Sequence, residues 1–354
     1  MDQLETMNGT GEAAAAIRAG DESAFTALAE RHRSELRVHC YRMLGSFDDA
    51  EDALQDTFLR AWRYRESLKD GAPLRPWLYR VATNTCLDAI ARDPRRSALP
   101  RRADEAGGSR RLGPAEVTWL QPFPDHLLDA AARPESEPEA LVLTQESIEL
   151  AFLTVIQLLT PQQRAALILR DLLDWSAKEA ADLLGTSVAA ANSALQRARA
   201  TLRAHLPSRK PEWPSGVDAS AAERELLRKY VDASEQPDLA AFESLIREDA
   251  VSRMPPQPEI TVGRDAILRL FVEAGFGSER FGRLRCTITR ANRQPAVAFY
   301  VLSKGDTTYR AMALDVLRIE DGRIAEIVTF APEVFEAFGL PPTLESTTRT
   351  TESS

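Results

Sequence analysis

Over the first 93 residues apolar positions recur every three or four places. Phe25, Leu28, Leu36 and Tyr41 are examples, and this spacing winds them onto one side of a helix. The long amphipathic runs and few glycines predict a helical block at 12–93. The period fails at 94–138, where DPRRSALPRRADEAGGSR and RPESEPEA mix Pro, Gly and charge. That composition predicts a linker, although WLQPFPDHLL inside it is too apolar for plain spacer. Helical spacing returns over 139–206 and breaks at PSRKPEWPSG, a second linker at 207–217. From 218 to 340 the pattern changes again. Helices at 219–234 and 238–247 and a shorter one in GRDAILRLFVEA precede four runs rich in β-branched and aromatic residues. These are RLRCTITRAN, PAVAFYVLS, YRAMALDVLRIE and RIAEIVTF, with Asp321-Gly322 turning the last two into a hairpin. Helices followed by an antiparallel meander predict an α+β domain, and 341–354 reads as a disordered tail.

Length and composition narrow the class. A chain of 354 residues holds two or three domains. It has no apolar run of about 18 residues, which argues against a membrane span. Its start carries acids and no basic stretch ahead of a hydrophobic one, unlike a secretory signal. Cys40, Cys86 and Cys286 are far apart, with no C-x-x-C pair, and His32, His39, His126 and His205 are scattered. The expectation is a cytoplasmic protein with no disulfide framework, no metal site and no cofactor.

Charge adds more. The net charge is -9, yet no Asp or Glu occurs from Ser187 to Pro211, a stretch that holds Arg197, Arg199, Arg203, Arg209 and Lys210. In WSAKEAADLLGTSVAAANSALQRARATL, Ala177 to Leu184 predicts a short helix and Gly185 a left-handed turn. Ser187 then caps a second helix. Ala181 and Gly185 supply the small residue and the turn that two crossing helices need. With Val188, Ala191, Leu195 and Leu202 on the buried side, Asn192, Ser193, Gln196, Arg197 and Arg199 are left near open faces. Asn and Gln can pair bidentately with adenine, Arg with guanine, and Arg also meets phosphates. A basic, solvated helix in an ordinary bundle would have the same composition.

A second asymmetry lies upstream. GSFDDAEDALQDT at 45–57 holds Asp48, Asp49, Glu51, Asp52 and Asp56 and no base. Asp48 and Asp49 suit a helix start, Asp52 and Gln55 share an exposed side, and Ala53, Leu54, Phe58 and Leu59 can face a core. Residues 75–102 carry seven arginines against Asp88 and Asp93, with Trp77 and Tyr79 set among Arg75 and Arg80. Aromatics beside arginines hold single-stranded nucleic acid, although W-L-x-x-V-A also fits a plain core stripe.

The run GDESAFTALAERHRSELRVHCYRMLGSFDDAEDALQDTFLRAW, continued by PLRPWLYRVATNTCLDAIAR, resembles region 2 of bacterial sigma-70 factors of the extracytoplasmic-function (ECF) group. LTPQQRAALILRDLLDWSAKEAADLLGTSVAAANSALQRARATL is similar to their region 4. The resemblance implies partners: core RNA polymerase, met at its clamp coiled coil and flap, and promoter DNA. It places Asp52, Ala53, Leu54 and Gln55 in the core-binding motif, with Asp48, Asp49, Glu51 and Asp56 around it. Arg75, Trp77, Arg80, Asn84 and Arg92 become candidates for holding the melted -10 strand. The -35 element would be read by Ser187, Asn192, Ser193, Gln196, Arg197 and Arg199 of the helix-turn-helix at 179–198. The linker at 94–138 would run through the polymerase toward the RNA exit path, its apolar segment docking there or on the chain's own C-terminal domain. One departure stands out. Many ECF factors have Lys and Arg where this chain has Asn192 and Ala194, which predicts a weaker intrinsic grip on the -35 element.

The C-terminal part resembles the SnoaL-like fold, a cone of curved sheet and helices around an open-ended pocket. The fold expected is therefore multidomain: a helical bundle for region 2, an all-α region 4, and an α+β cone. Some relatives of the cone are enzymes that use a His or Asp inside the pocket, but no His follows His205 here. Asp249, Arg253, Tyr300 and Asp315 are polar candidates for a cavity or for structural roles. Met254, Phe271, Phe276, Phe281, Phe299 and Met312 suit core or apolar lining. The primary reading is a sigma factor, not an enzyme, whose extra domain modulates it in cis, with a small-molecule ligand as a possible signal. The alternative is a DNA-binding protein fused to a SnoaL-like isomerase or hydrolase.

Overall fold

The computed structural model describes residues 11–69, 73–96, 117–129, 148–206, 220–257, 259–278 and 280–346. The chain forms two compact units. One is Met1–Gly113 with His126–Ser208, and the other is Pro114–Asp125 with Arg209–Ser354.

The described residues of the first unit form helices and their connections. Asp21 caps α1 (Glu22–Leu44) by accepting from the Ser23 and Ala24 amides. Gly45, at φ +72°, ends that helix, and Ser46 at once caps α2 (Phe47–Arg63). With α3 (Leu74–Arg92) these helices enclose a core that includes Leu36, Tyr41, Met43, Leu54, Leu78 and Ile90. The second helical domain contains α4 (Leu150–Gln157) and α5 (Pro161–Leu167), the latter started by a Thr160–Gln163 capping box with Pro161 in its first turn. A π-type turn at Ile168–Leu172 leads to α6 (Ala177–Leu183) and α7 (Val188–His205).

The second unit contains α8 (Ala221–Glu235), α9 (Leu239–Leu245), α10 (Arg264–Glu273) and a seven-stranded sheet. The strands are β1 (Ile246–Arg253), β2 (Ile260–Val262), β3 (Arg283–Ala291), β4 (Gln294–Leu302), β5 (Thr308–Glu320), β6 (Arg323–Phe330) and β7 (Thr343–Glu345). Their order is β2-β1-β6-β5-β4-β3, with β7 pairing β5. Asp321 and Gly322 take φ +52° and +70°, the turn expected between β5 and β6.

Three expectations are corrected. The helix read at 238–247 ends at Leu245, because Ile246 begins β1, which pairs parallel to β6 and makes the sheet mixed. Charge hid this strand: Arg247, Glu248 and Asp249 lie between its buried Ile246 and Ala250, and Arg247 is spent on Asp249 and Glu320. The tail read at 341–354 supplies β7, while 347–354 lies outside the described residues. Met254 is 41% exposed and so is not core.

The other aromatic candidates behave as core. Tyr230, Phe242, Ile267, Val297, Phe299, Leu317 and Ile327 form one buried cluster, with Phe271, Phe276, Phe281 and Met312 against it. Phe242 meets Tyr230 and Phe276 edge-on at centroid distances of 5.2 and 5.5 Å, a geometry that adds to the gain from burial alone.

Candidate functional site

The acidic helix α2 has two sides. Ala50, Ala53, Leu54, Thr57 and Ala61 are buried in the bundle, and this leaves Asp52, Gln55, Asp56 and Leu59 facing out. Leu59 was expected in the core and is instead 65% exposed. These residues border a groove of about 470 Å³ whose other wall includes Arg92, Arg95 and Arg96. Two of the acids are already engaged within the chain, since Arg96 binds Asp49 and Arg37 binds Glu51. The outward acidity of the helix therefore centres on Asp52 and Asp56, while Ala53 and Leu54 set its seating. Asp48 lies with Asp49 in the first turn, where both favour the helix dipole.

Helix α3 brings four candidates onto one stripe. Trp77, Arg80, Asn84 and Arg92 fall at helical spacing; Arg80, Asn84 and Arg92 are exposed and Trp77 is half-buried. Asp88 sits among them but is paired with Arg60 at 2.5 Å. Arg75 does not join the stripe. Its guanidinium is spent on Glu35 at 2.9 Å and lies 4.9 Å from the Tyr79 ring centroid. Burial alone would raise the Glu35 pKa, but hydrogen bonds from His32 and Arg75, with the Arg75 charge, lower it to about 2. Arg75 thus fastens α3 to α1.

The helix-turn-helix is formed by α6 and α7. Ser176 and Glu179 make a capping box at the start of α6, Gly185 takes φ +62° in the turn, and the Ser187 hydroxyl accepts from the Ala190 amide at 3.1 Å. The Ser187 side chain therefore serves first as an N-cap. Ala191, Ala194, Leu195 and Ala198 are buried, and Asn192, Ser193, Gln196 and Arg197 form the exposed face. Arg199 is held bidentately by Asp171 at 2.9 and 2.6 Å. Two expectations change here. Val188 is 42% exposed, and Ala194 faces inward, so an arginine there would not reach a phosphate from the exposed face.

In the second unit, part of the expected linker is clasped by the β3–β4 turn. Asn292 and Arg293 both have positive φ, +56° and +61°. The Asn292 amide donates to Phe123 O at 2.9 Å, and its side-chain oxygen accepts from Phe123 N at 2.8 Å. Pro124 forms a β-bridge with Ala291. Asp125 accepts from the Arg293 amide at 2.8 Å and from Arg290 at 3.3 Å, and Arg290 also pairs with Glu223 of α8. Val117, Leu120 and Phe123 are buried. The apolar segment thus docks on the chain's own C-terminal domain, a choice the sequence left open. Residues 97–116 and 130–138 of the linker read at 94–138, residues 139–147 of the helical block read at 139–206, and 207–217 lie outside the described residues.

The polar candidates of the cone are dispersed. Asp315 is buried, accepting from Tyr230 at 2.8 Å and Thr329 at 2.6 Å, and burial raises its pKa despite these bonds. Tyr300 is buried with its ring edge-on to Phe335, and its hydroxyl has no hydrogen-bond partner among the described residues. Arg253 pairs with Glu326 at 2.7 Å, and Asp249 is exposed beside Arg247. Among the described residues no three His, Cys, Asp or Glu side chains are placed to share a metal ion, and no helix is long and apolar enough to cross a membrane.

Comparison with known proteins matches three family models: Sigma-70 region 2 over residues 28–96, Sigma-70, region 4 over 149–202, and a SnoaL-like domain over 227–327. The ECF RNA polymerase sigma factor SigG of Mycobacterium tuberculosis (strain H37Rv) is 40% identical over 331 residues, covering 92% of this chain and 86% of that protein. SigJ of the same strain is 29% identical over 324 residues, covering 88% and 92%. The crystal structure of M. tuberculosis SigJ matches with a TM-score of 0.56 at 21% identity, over 89% of this chain and all of that one. The fold is thus two helical sigma domains and a C-terminal SnoaL-like domain, and the chain belongs to the ECF family of RNA polymerase sigma factors.

Proposed function

We propose that this sigma factor divides its work among its faces as follows. The region around 12–93 docks on the polymerase clamp through Asp52, Gln55 and Asp56 and holds the melted -10 strand along Trp77, Arg80, Asn84 and Arg92. The region around 139–206 meets the flap and reads the -35 element with Asn192, Ser193, Gln196 and Arg197. The domain at 218–340 modulates the factor in cis by gripping the linker, and a small molecule that loosens the grip is the simplest signal. Phosphoryl transfer belongs to the polymerase, and the chain acts in the cytoplasm.

The observation that supports this reading best is the sorting of charge. One helix presents carboxylates outward beside an exposed leucine, and another presents amides and an arginine with no acid in its sequence. A basic protein surface complements the first and nucleic acid the second. Run-off transcription with purified core polymerase tests it, comparing the full chain with one ending at Pro207. Promoter-specific transcripts that increase on truncation support inhibition in cis. Loss of transcripts with retained core binding makes the C-terminal domain a positive component. Turnover of a small molecule by the full chain would instead favour the enzyme reading.

A further inference from the structure

The hold on the linker is largely backbone chemistry, and the sequence Pro122-Phe123-Pro124-Asp125 suits it. Proline has no backbone N–H, so among the first three of these residues only Phe123 has a donor to place. Asn292 takes that donor with its side chain and gives its own amide to Phe123 O, at 2.8 and 2.9 Å. A residue ahead of proline is held extended, which readies Phe123 for this pairing and lowers the entropy lost on docking. Pro124 then bridges to Ala291 at the end of β3, an edge strand of the sheet. The acid is read by charge as well as by geometry. The Arg293 amide donates to one oxygen of Asp125 at 2.8 Å, and the other oxygen faces Arg290 at 3.3 Å and the Arg293 guanidinium at 3.9 Å. Arg290 is itself set in place, by Glu223 at 3.2 Å and by Arg293 O at 3.0 Å.

We infer that the β3–β4 turn is a peptide-recognition site, which takes a segment of a second protein once the chain's own segment has left it. The segment that fits is an extended one, with an aromatic residue between prolines and an acid directly after. The inference rests on the reading of this domain as a modulator that grips and releases the linker, and it adds a partner to the released state. Its basis is that the contacts just described reach one continuous stretch, and would serve the same stretch in another molecule. Emptying the site removes these acceptors from the Asn292 and Arg293 amides and the carboxylate from beside two arginines. That loss favours a replacement of the same chemistry.

Affinity and selectivity come from different parts of the turn. Extended peptides commonly add at a sheet edge, where main-chain bonds hold them and side-chain contacts choose among them. Here Asn292 supplies the main-chain bonds and Arg290 with Arg293 selects the acid. Phe123 is fully buried, so a small or charged residue in its place forfeits that burial.

Fluorescence anisotropy on the full chain tests this, with the labelled peptide VTWLQPFPDH of residues 117–126 as probe. The wild-type chain should bind it weakly, because its own segment fills the site. Asp125→Lys in the chain sets a lysine against Arg290 and Arg293, releases the segment and should tighten probe binding roughly tenfold. Adding Arg290→Ala to that chain should undo the gain, and a probe carrying the same Asp125→Lys change should not bind. The inference is overturned if the Asp125→Lys chain, with 117–125 open to hydrogen exchange, binds the probe no better than wild type, or binds both probes alike. Should that chain not fold, one with Gly and Ser throughout 117–125 replaces it, with the same outcomes. Sedimentation showing a wild-type dimer that Arg290→Ala dissolves would put a second copy in the site and overturn the choice of a separate partner. Run-off transcription unchanged by truncation at Pro207 would instead refute regulation in cis, so the two failures are distinct.

Discussion

Removing the Asn292 side chain tests the grip on the linker. Its oxygen accepts from the Phe123 amide at 2.8 Å, and Phe123 is fully buried. In Asn292→Ala that amide loses this acceptor, which costs about 1–3 kcal/mol. Alanine also takes up a φ of +56°, at about 1 kcal/mol more. The sum is about 3 kcal/mol, on the order of a hundredfold in the opening equilibrium of the docked segment. Asn292→Gly separates the parts, because glycine accepts the backbone conformation while it too lacks the side-chain acceptor. Hydrogen exchange of the full chain, followed by mass spectrometry on peptides covering 117–125, reads the opening directly. The expected order of exchange is wild type, then Gly, then Ala. If the Ala variant exchanged at the wild-type rate, the clasp would not hold the segment. A Gly variant faster than the Ala variant would show that the backbone contribution has the wrong sign.

Further outcomes follow from other residues. Arg197→Ala should weaken binding to a -35 duplex by about 1–3 kcal/mol in a fluorescence titration. Arg199→Ala should act mainly on the stability of its domain, because Asp171 already holds that guanidinium. Asp52→Lys with Asp56→Lys should reduce core-polymerase affinity at least tenfold in a competition assay, an effect that steepens at low salt. Glu35, with its pKa lowered to about 2, stabilises the fold fully above its ordinary value of 4.5 and loses that contribution as pH falls toward 2. Thermal unfolding of Glu35→Gln should therefore differ most from wild type at neutral pH and converge with it in strong acid. The Asp315 pKa is raised, so ionising it costs stability as pH rises through the folded value. Asp315→Asn keeps an acceptor for one of the two hydroxyls and offers the other an amide donor, toward which a rotated hydroxyl can accept, and should melt no lower than wild type at pH 7.

Much of the fold was legible because local chemistry and tertiary structure agree. Ser176, Gly185 and Ser187 mark the helix-turn-helix in sequence and occupy the caps and turn in space. Asp321-Gly322 does the same for a hairpin. The misses have a common cause: a partner distant in sequence decides. Arg75 reads as a nucleic-acid contact until Glu35, forty residues away, takes its charge. Arg199 is likewise paired with Asp171, and β1 looks unlike a strand because it carries Arg247, Glu248 and Asp249, of which Arg247 pairs with Glu320 of β5. Leu59 and Val188 fit a helical apolar period, yet each stands at the rim of its stripe. The docking of the linker was illegible for another reason. Phe123 is recognised mainly through its backbone, which leaves no signature in residue type.

Because the linker and the domain that holds it share one chain, their association is unimolecular. Tethering sets the local concentration of one for the other near the millimolar range. A clasp made of a few hydrogen bonds and one carboxylate can then stay closed without high intrinsic affinity, and a polymerase channel that takes up the same segment competes against that concentration. The C-terminal domain supplied as a separate polypeptide at micromolar levels would be a poor substitute for the fused one. Stoichiometry is fixed by covalent connection, so changes in the abundance of this protein cannot alter the ratio of the domain to the linker it holds.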